Sequence, residues 1–497
     1  MASDYLLAAL QTVADPFNLG ILVLSDFVGL LMGILPGLSA TMAIALLTGI
    51  TYGLPGASAL ISLVAVYVGS ISGGCQSAIL LNIPGTPASA ATASDGFPLA
   101  KQGKAGMTIF LATSASCIGT LLSVICVLTL TPVLTSISLK FGSWEFFLLA
   151  IFGVVICGNL TARDNAIKGW VCGIVGLFVS QVGLDMVSAY PRFSYDNANL
   201  MSGLQLIPIM IGLFGFPEII NAFKKTDTKI MGMSPFNMSE GIKILLKNKM
   251  TMLRSALIGV CVGIIPGVGE DVGGWLSYWS TKSSSKEPET FGYGNPDGVV
   301  AAETGNNACI GGAIIPVMSL AVPGSAPAAV LLAAFMMHGY RPGPLLMTET
   351  PEFLYQICVF LSVSAVVMWL LAMVIARFTV KILGIKKQLL MPIIYVLCVV
   401  GAYVINNTLF DIKVMFVFGI LGFFMATMNY PAAPFLLGVI LGPMADSNLR
   451  RALTITEGSI LPMFERPICL FFLVMLPALL LSQTSLFKNF KTGNKPG

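Results

Sequence analysis

Four Pro-Gly pairs, each set between apolar stretches, mark the places where this sequence could bind a small charged molecule. They are Pro36-Gly37, Pro84-Gly85, Pro266-Gly267 and Pro323-Gly324. A helix that is broken at such a pair restarts beyond it with unpaired backbone N–H groups and the positive end of its dipole, and both attract carboxylates. The pairs therefore predict half-helix ends suited to an anionic ligand.

The residues that follow the pairs add hydrogen-bonding groups. Hydroxyl side chains follow three of the four pairs, where they can bind an anion or supply oxygen ligands to Na⁺: Ser39, Thr41, Thr86 and Ser325. The third pair is followed by Glu270 and Asp271. Acidic groups suit a cation or a proton better than an anionic substrate.

These residues define the predicted site. We predict that the following residues bind substrate: Pro36, Gly37, Ser39, Thr41, Asn82, Pro84, Gly85, Thr86, Pro266, Gly267, Pro323, Gly324 and Ser325. Intramembrane polar residues are costly and hence candidates for function. The candidates for a bound cation are Asn82, Glu270, Asp271, Asn306 and Asn307, with Gln76 and Glu303 beside the same breaks.

Other polar residues have plainer interpretations. A solvated loop position stays equally open for Glu270, Asp271 and Glu303. A membrane interface is expected for Asp26 and Glu145, and anchoring of the topology for Lys101, Lys104 and Arg341.

The pairs belong to an internal duplication. The glycine and proline pattern of residues 29–37 returns at identical spacing in residues 259–267, and in each half a Gly-Gly pair precedes the next Pro-Gly pair: Gly73-Gly74 in the first, Gly311-Gly312 in the second. Glycine at every fourth residue alone indicates close helix packing, and Gly-Pro pairs alone indicate turns. Breaks at corresponding positions of two repeats indicate instead a transporter binding site.

The composition indicates a polytopic membrane protein. Of the 497 residues, 56% are hydrophobic and only 10% are charged, so apolar stretches of about 20 residues recur throughout. We predict an all-α fold of two inverted structural repeats, with broken or re-entrant helices at the Pro-Gly motifs and about 10–14 membrane segments.

A net charge of +4 gives no indication of nucleic-acid binding, and ten scattered cysteines with one histidine predict neither a metal site nor disulfides. The apolar start from Leu6 lacks a basic region and a cleavage site, so we expect it to be mature chain.

The chain divides at a basic stretch. We predict a first membrane repeat over residues 1–222, a basic cytoplasmic linker over 223–254, a second repeat over 255–483 and a cytoplasmic tail over 484–497, since lysines and arginines favour the cytoplasmic side. Clear spans are expected near residues 107–137, 144–160, 166–184, 203–222, 353–376, 389–405, 410–428 and 459–482, with a polar loop over 281–297.

Two long runs resemble a known family. The run GILPGLSATMA at the first pair and the run over residues 73–106 are similar to the large membrane subunit of the tripartite tricarboxylate transporter family, and residues 263–271 and 305–344 extend the resemblance into the second half. The resemblance implies a bacterial inner-membrane secondary transporter with two partners, a small four-helix membrane subunit and a periplasmic solute-binding protein. Its implied substrates are citrate or other small carboxylates, taken up with Na⁺ or H⁺ as coupling ion and no further cofactor. The family usually has histidine where this chain has Ser94, which leaves the substrate more open than the fold.

Alternatives remain at this point. Another binding-protein-dependent carboxylate carrier and a passive anion channel fit the same breaks. An intramembrane serine protease would use Ser39 with His338 as base, although Gly269 stands where the counterpart of Ser39 should be. The carboxylate, the coupling ion, the exact span count, elevator against rocking movement and the oligomeric state stay open, and exposed Gly-rich faces leave room for a homodimer.

Overall fold

The computed structural model describes residues 2–161, 165–185, 187–222, 231–232, 234, 237–384 and 387–482. These residues are mostly helical, as predicted, and seven helices among them are long and apolar enough to cross a membrane. Six shorter apolar helices accompany them. The one β-ladder in the described residues is a two-residue antiparallel pair, β1 (Gly183–Leu184) with β2 (Pro191–Arg192).

The first half begins with helices that stop at the predicted breaks. In chain order its helices are α1 (Ala2–Ala14), α2 (Pro16–Ile34), α3 (Ala40–Thr51), α4 (Gly56–Leu81), α5 (Ala90–Leu99), α6 (Ala105–Ser138), α7 (Ser143–Thr161), α8 (Ala166–Val179), α9 (Ala198–Met201), α10 (Leu206–Met210) and α11 (Phe216–Ala222). A 3₁₀ turn, Pro87–Ser89, leads into α5. Wider π-type turns, Ala100–Lys104 and Ile211–Gly215, join α5 to α6 and α10 to α11.

The second half repeats the opening of the first and then adds a longer series of helices. They are α12 (Met238–Lys247), α13 (Lys249–Ile264), α14 (Glu270–Ser284), α15 (Pro296–Leu320), α16 (Ala326–Met337), α17 (Leu346–Glu349), α18 (Glu352–Ala376), α19 (Thr379–Leu383), α20 (Lys387–Val404), α21 (Leu409–Thr427), α22 (Ala432–Ile455), α23 (Pro462–Glu465) and α24 (Pro467–Ser482).

Local sequence explains where α2 begins and ends. The Asp15 side chain accepts hydrogen bonds from the Phe17 and Asn18 N–H groups, and Pro16 fits the first turn because it has no N–H to satisfy. At the other end Leu35 adopts an extended conformation, because the residue before a proline is excluded from the helical region. Ile265 ends α13 in the same way before Pro266.

The long helices α4 and α15 lie at the centre of the core. α2 packs on α4, α13 packs on α15, and α6 crosses α15. The apolar window of α4 is entirely buried inside the protein. A helix that is apolar all round with small residues throughout can be enclosed by others, and glycines at the crossings let the backbones approach closely.

The second and fourth breaks have the same backbone geometry. A Cβ atom on Gly85 would lie 1.9 Å from the Gly33 carbonyl oxygen, and one on Gly324 would lie 1.8 Å from the Gly263 oxygen. The Gly85 N–H donates to Gly74 at 3.3 Å, and the Gly324 N–H donates to Ala313 at 3.4 Å. This register pairs Gly74 with Ala313 and Gly73 with Gly312, so the Gly-Gly pairs of the two halves are offset by one residue.

The predicted spans need one addition. α22 was not predicted, because the charged residues Asp446, Arg450 and Arg451 in its second half dilute its apolar pattern. Of the linker predicted for residues 223–254, residues 223–230, 233, 235 and 236 lie outside the described residues, and the remainder contains α12 and the start of α13. The tail predicted for residues 484–497 also lies outside them.

Candidate functional site

Segments from all four breaks line one cavity of about 430 Å³. The break segments contribute Ser39, Ala40, Thr41, Thr86, Pro87, Ala88, Gly267, Val268, Gly269, Glu270, Asp271, Val272, Ala326 and Pro327. The sequence predicted the breaks separately, and the fold brings them together. Within the described residues, no lysine, arginine or histidine lines this cavity.

Two of the predicted hydroxyl residues begin helices at the cavity. The Ser39 Oγ accepts a hydrogen bond from the Met42 N–H at 3.2 Å and so caps α3. The Ser325 Oγ accepts one from the Ala328 N–H, also at 3.2 Å, and caps α16. Serine is favoured at this position because its oxygen satisfies an N–H group that the helix leaves unpaired. The remaining first-turn N–H groups are the ones a ligand can use.

The second break presents Thr86 before the turn that starts α5. Its hydroxyl lies 3.4 Å from the Ser89 hydroxyl and does not cap the helix. Thr86 is buried and lines the cavity together with Thr41 of α3. Both hydroxyls are therefore placed to meet a ligand.

The third break places a buried acid at the cavity wall. Glu270, in the first turn of α14, is only 4% exposed. Its Oε1 accepts hydrogen bonds from the Tyr67 hydroxyl of α4 and from the Ser325 hydroxyl at 2.7 Å. These two hydroxyls lie 3.0 Å apart. The solvated loop interpretation was wrong for Glu270: it joins α4 to both breaks of the second half.

Several predicted residues shape the backbone and do not line the cavity. They are Pro36, Gly37, Pro84, Gly85, Pro266, Pro323 and Gly324, and only Gly267 of the four pairs is a lining residue. Gly37 and Gly267 have φ of +97° and +73°, a conformation that favours glycine. Their contribution is to turn the chain between two half-helices.

The three predicted asparagines lie away from the cavity lining. Asn82 is exposed and ends α4 in the left-handed conformation, at φ 58°. Asn306 and Asn307 are fully buried on α15. The Asn306 Nδ2 donates to the Ala88 carbonyl at 3.1 Å, and Asn307 Nδ2 donates to the Ser72 hydroxyl at 2.7 Å. Asn306 thus contacts the back of the cavity wall.

The remaining polar residues lie outside the cavity lining. Glu145 lies in the first turn of α7 and pairs with Arg466. Asp26 is fully buried within α2, where Ser364 donates to it at 2.9 Å, so its predicted interface position was wrong. Glu303 is likewise fully buried, which excludes a solvated loop. Lys101, Lys104 and Arg341 are exposed and outside the cavity lining.

Sequence reasoning missed the part of the lining that comes from outside the breaks. It consists of Ile71, Leu160, Thr161, Phe214, Glu218, Pro431, Ala432 and Ala433. One signal was present: Glu218 follows Pro217 in an apolar span, and an acid in such a span is a candidate for function. The end of α7 and the start of α22 carry no comparable signal.

A family model matches residues 19–437, described as the tripartite tricarboxylate transporter TctA family. The chain belongs to the tripartite tricarboxylate transporter TctA family. This TctA-family chain is a multi-pass protein of the inner membrane that functions in transport, and the family is part of a tripartite system with small membrane and periplasmic binding partners.

Two relatives of this TctA-family chain come from Agrobacterium vitis. An uncharacterized 52.8 kDa protein in the TAR-I ttuC' 3' region is 33% identical over 463 residues, 92% of this chain and 91% of that protein. An uncharacterized protein in the TAR-II ttuC' 3' region is 33% identical over 210 residues, 42% of this chain and 87% of that protein. No solved structure matches the TctA-family chain.

Proposed function

We propose that this chain is the large permease subunit of a binding-protein-dependent secondary transporter that imports tricarboxylates such as citrate, or other small carboxylates, with a Na⁺ or H⁺ gradient. The observation that carries the proposal is the single cavity lined by all four break segments. The starts of α3, α14 and α16 and the turn before α5 all lie at it.

In this proposal the lining holds carboxylates without a basic side chain. Because none of its described residues is basic, substrate charge is met by first-turn N–H groups, helix dipoles and hydroxyls such as Thr41 and Thr86. Such groups bind an anion without the ion pair that would make release slow, and release is part of each transport cycle.

The acids at the same cavity support a coupled cation. Glu270 and Asp271 at the third break and Glu218 on α11 all line it. A cation bound beside these carboxylates reduces their repulsion of an anionic substrate, so each ligand favours binding of the other.

The two halves act as inverted repeats in this proposal. The support is the matched geometry at Gly85 and Gly324 and the crossing contacts of the breaks with the helices of the opposite half. Movement of break segments relative to one another then opens the cavity alternately to the two sides of the membrane.

The test is uptake of radiolabelled citrate and related di- and tricarboxylates into vesicles that contain the chain and its small membrane subunit. The binding protein is added or omitted, and Na⁺ and pH gradients are imposed separately. We expect the carboxylate to accumulate against its own concentration gradient only when the binding protein and one of the two ion gradients are present. Uptake that is only downhill indicates a channel, and uptake indifferent to the binding protein contradicts the tripartite mechanism.

A further inference from the structure

Glu303 is a buried carboxylate in the first third of α15, and hydroxyls of the first half donate hydrogen bonds to both of its oxygens. Thr92 of α5 donates to Oε1, and Ser116 of α6 donates to Oε2 at 2.8 Å. The residue is 0% exposed and does not line the cavity. A carboxylate removed from water in this way is very costly unless a positive group or a proton compensates its charge.

No described basic side chain supplies that compensation. None of the ion pairs within the described residues includes Glu303. Arg254 of α13, a helix packed against α15, donates instead to the hydroxyls of Ser284 and Thr281. The other charged and titratable groups on the elements packed against α15, and on α15 itself, are Tyr67, Cys75, Asp95, Cys117, Cys126, Lys249, Cys261, Glu270, Asp271, Tyr278, Lys282, Asp297, Cys309 and Glu349.

The contacts of Glu303 favour a proton over a metal cation. The Thr92 and Ser116 hydroxyls touch the carboxylate directly, at hydrogen-bond distance, so no ion separates them from it. The same hydroxyls can accept a hydrogen bond as well as donate one. A proton can therefore be held at this carboxylate once one of the two hydroxyls turns from donating to accepting.

The site is joined to the cavity wall at two points. Thr92 lies on α5, which starts from the second break. Asn306, one turn beyond Glu303, donates to the carbonyl of Ala88, which lines the cavity. The Asn306 Oδ1 is buried without a hydrogen-bond partner in the described residues, so an acceptor remains on this face of α15.

We propose that Glu303 binds and releases the coupling proton and that its protonation sets the position of the second break segment. As a carboxylate it accepts from both hydroxyls. When it takes up one proton, its own O–H must donate, so one hydroxyl turns to another acceptor and the contact with α5 changes. The proton is the only species gained or lost in this step. The inference rests on the proposed transport function and adds the residue that carries the proton.

The test compares two assays in vesicles that contain the complete transport complex. One measures citrate accumulation driven by a pH gradient, and the other measures exchange of labelled for unlabelled citrate at equal pH. Glutamine resembles the protonated acid. We therefore expect Glu303→Gln to reduce accumulation at least tenfold and to leave exchange within about twofold of the unmodified protein.

Asp26→Asn is the matched control. Asp26 is also a fully buried acid with a serine donor, Ser364 at 2.9 Å, but this hydrogen bond joins α2 to α18 and reaches no break segment. We expect this variant to keep accumulation driven by the pH gradient. Loss of proton-driven accumulation in Asp26→Asn with retention in Glu303→Gln would overturn the assignment.

A measurement without transport separates this inference from the proposed function. Infrared difference spectra of the purified complex between acidic and alkaline buffer should contain the C=O stretches of buried carboxylic acids. Glu303→Gln should lack one of these bands, and Asp26→Asn should keep that band. If Glu303→Gln keeps every C=O band of the unmodified complex, the inference is contradicted. Loss of exchange together with accumulation, or uptake that only Na⁺ drives, also contradicts it. If no carboxylate is transported at all, the proposed function fails, and the infrared band still tests Glu303.

Discussion

Tyr67 on α4 and Asn306 on α15 hold equivalent positions in the two halves, and each reaches a break of the opposite half. The Tyr67 hydroxyl donates to Glu270 and lies 3.0 Å from the Ser325 hydroxyl. The Asn306 Nδ2 donates to the Ala88 carbonyl at 3.1 Å. α4 and α15 thus each contact a break segment of the opposite half, and the contacted residues Glu270 and Ala88 both line the cavity.

The equivalence follows from the helix crossings next to these residues. A Cβ atom on Gly29 would lie 2.7 Å from the Val66 carbonyl oxygen, and one on Gly259 would lie 2.2 Å from the Gly305 oxygen. Tyr67 and Asn306 are the next residues after these two crossings.

Replacement of Gly85 by alanine should abolish uptake. The new methyl group would lie 1.9 Å from the Gly33 oxygen, so the second break must move away from α2 and with it Thr86 at the cavity. We expect at least a tenfold loss of uptake while the protein remains in the membrane, and the same for Gly324→Ala. Gly20→Ala is the control, because a methyl group on Gly20 would have no neighbouring atom within 4 Å among the described residues. Undiminished uptake in Gly85→Ala would contradict the site assignment.

Replacement of Tyr67 by phenylalanine should weaken transport and keep the packing of α4. The change removes one hydrogen-bond donor from the buried Glu270, at a cost of about 1–3 kcal/mol. If that cost falls on the transport-competent state, uptake drops by about tenfold, since 1.4 kcal/mol is a factor of ten. Tyr52→Phe, at an exposed tyrosine beyond α3, should have no effect.

A double variant tests whether these groups act together. Because Tyr67 and Ser325 donate to the same Glu270 oxygen, the losses in uptake for Tyr67→Phe and Ser325→Ala should not add. Strictly additive losses would mean that the cluster does not function as a unit.

The sequence predicted the breaks because Pro-Gly pairs have local consequences. Pro36 forces Leu35 out of the helical region, and the hydroxyl of Ser39 caps the helix that follows. It could not predict that Tyr67 reaches Glu270, because that contact joins residues 203 positions apart and depends on how the two halves pack. Tyr67 lies in an apolar run and carries no local signal of function.

The burial of Glu303 was missed for a related reason. An acid among small residues near a Gly-rich stretch has the composition of a loop, and only the hydroxyls that Thr92 and Ser116 bring from two other helices make its burial possible. Local pattern gives helix ends reliably, while compensation of a buried charge is decided by distant residues.

Replacement of Asp95 by asparagine should destabilise the folded protein. The Oδ1 of Asp95 accepts from the N–H groups of Gly292, Gly294 and Asn295, and Oδ2 accepts from the Tyr278 hydroxyl at 2.9 Å. An asparagine side chain has only one acceptor oxygen. Its NH₂ group would therefore face either the loop N–H groups or the Tyr278 hydroxyl, which are themselves donors in these contacts. With about 1.5–3 kcal/mol for each hydrogen bond to a charged group, we expect a clear fall in melting temperature.

The control for Asp95→Asn is Glu289→Gln, which changes an exposed acid of the loop that Asp95 binds. Its melting temperature should match that of the unmodified protein. Equal effects of the two substitutions would show that loop charge, and not the Asp95 hydrogen bonds, matters for stability.

The Asp185 carboxylate should make stability depend on pH in the acid range. The Ser188 hydroxyl, the Val187 N–H and then Arg192 hold the pKa of Asp185 below its usual value. A group with a depressed pKa contributes stability above the pKa of the unfolded chain, about 3.9, and loses it as the pH falls toward the folded value. Arg192 and Arg450 also join Asp185 to Asp446 of α22.

We therefore expect Asp185→Asn to lower the melting temperature at pH 7, and the difference from the unmodified protein to shrink as the pH is lowered from 4 toward 3 (about the unfolded pKa and below). Thermal unfolding of the purified proteins at pH 7 and at pH 3 measures this difference in melting temperature. Asp196→Asn, at an exposed acid of the same loop, is the control and should leave the melting temperature unchanged at either pH. A difference between Asp185→Asn and the unmodified protein that is constant with pH would mean that the carboxylate charge does not stabilise the contact between the loop and α22.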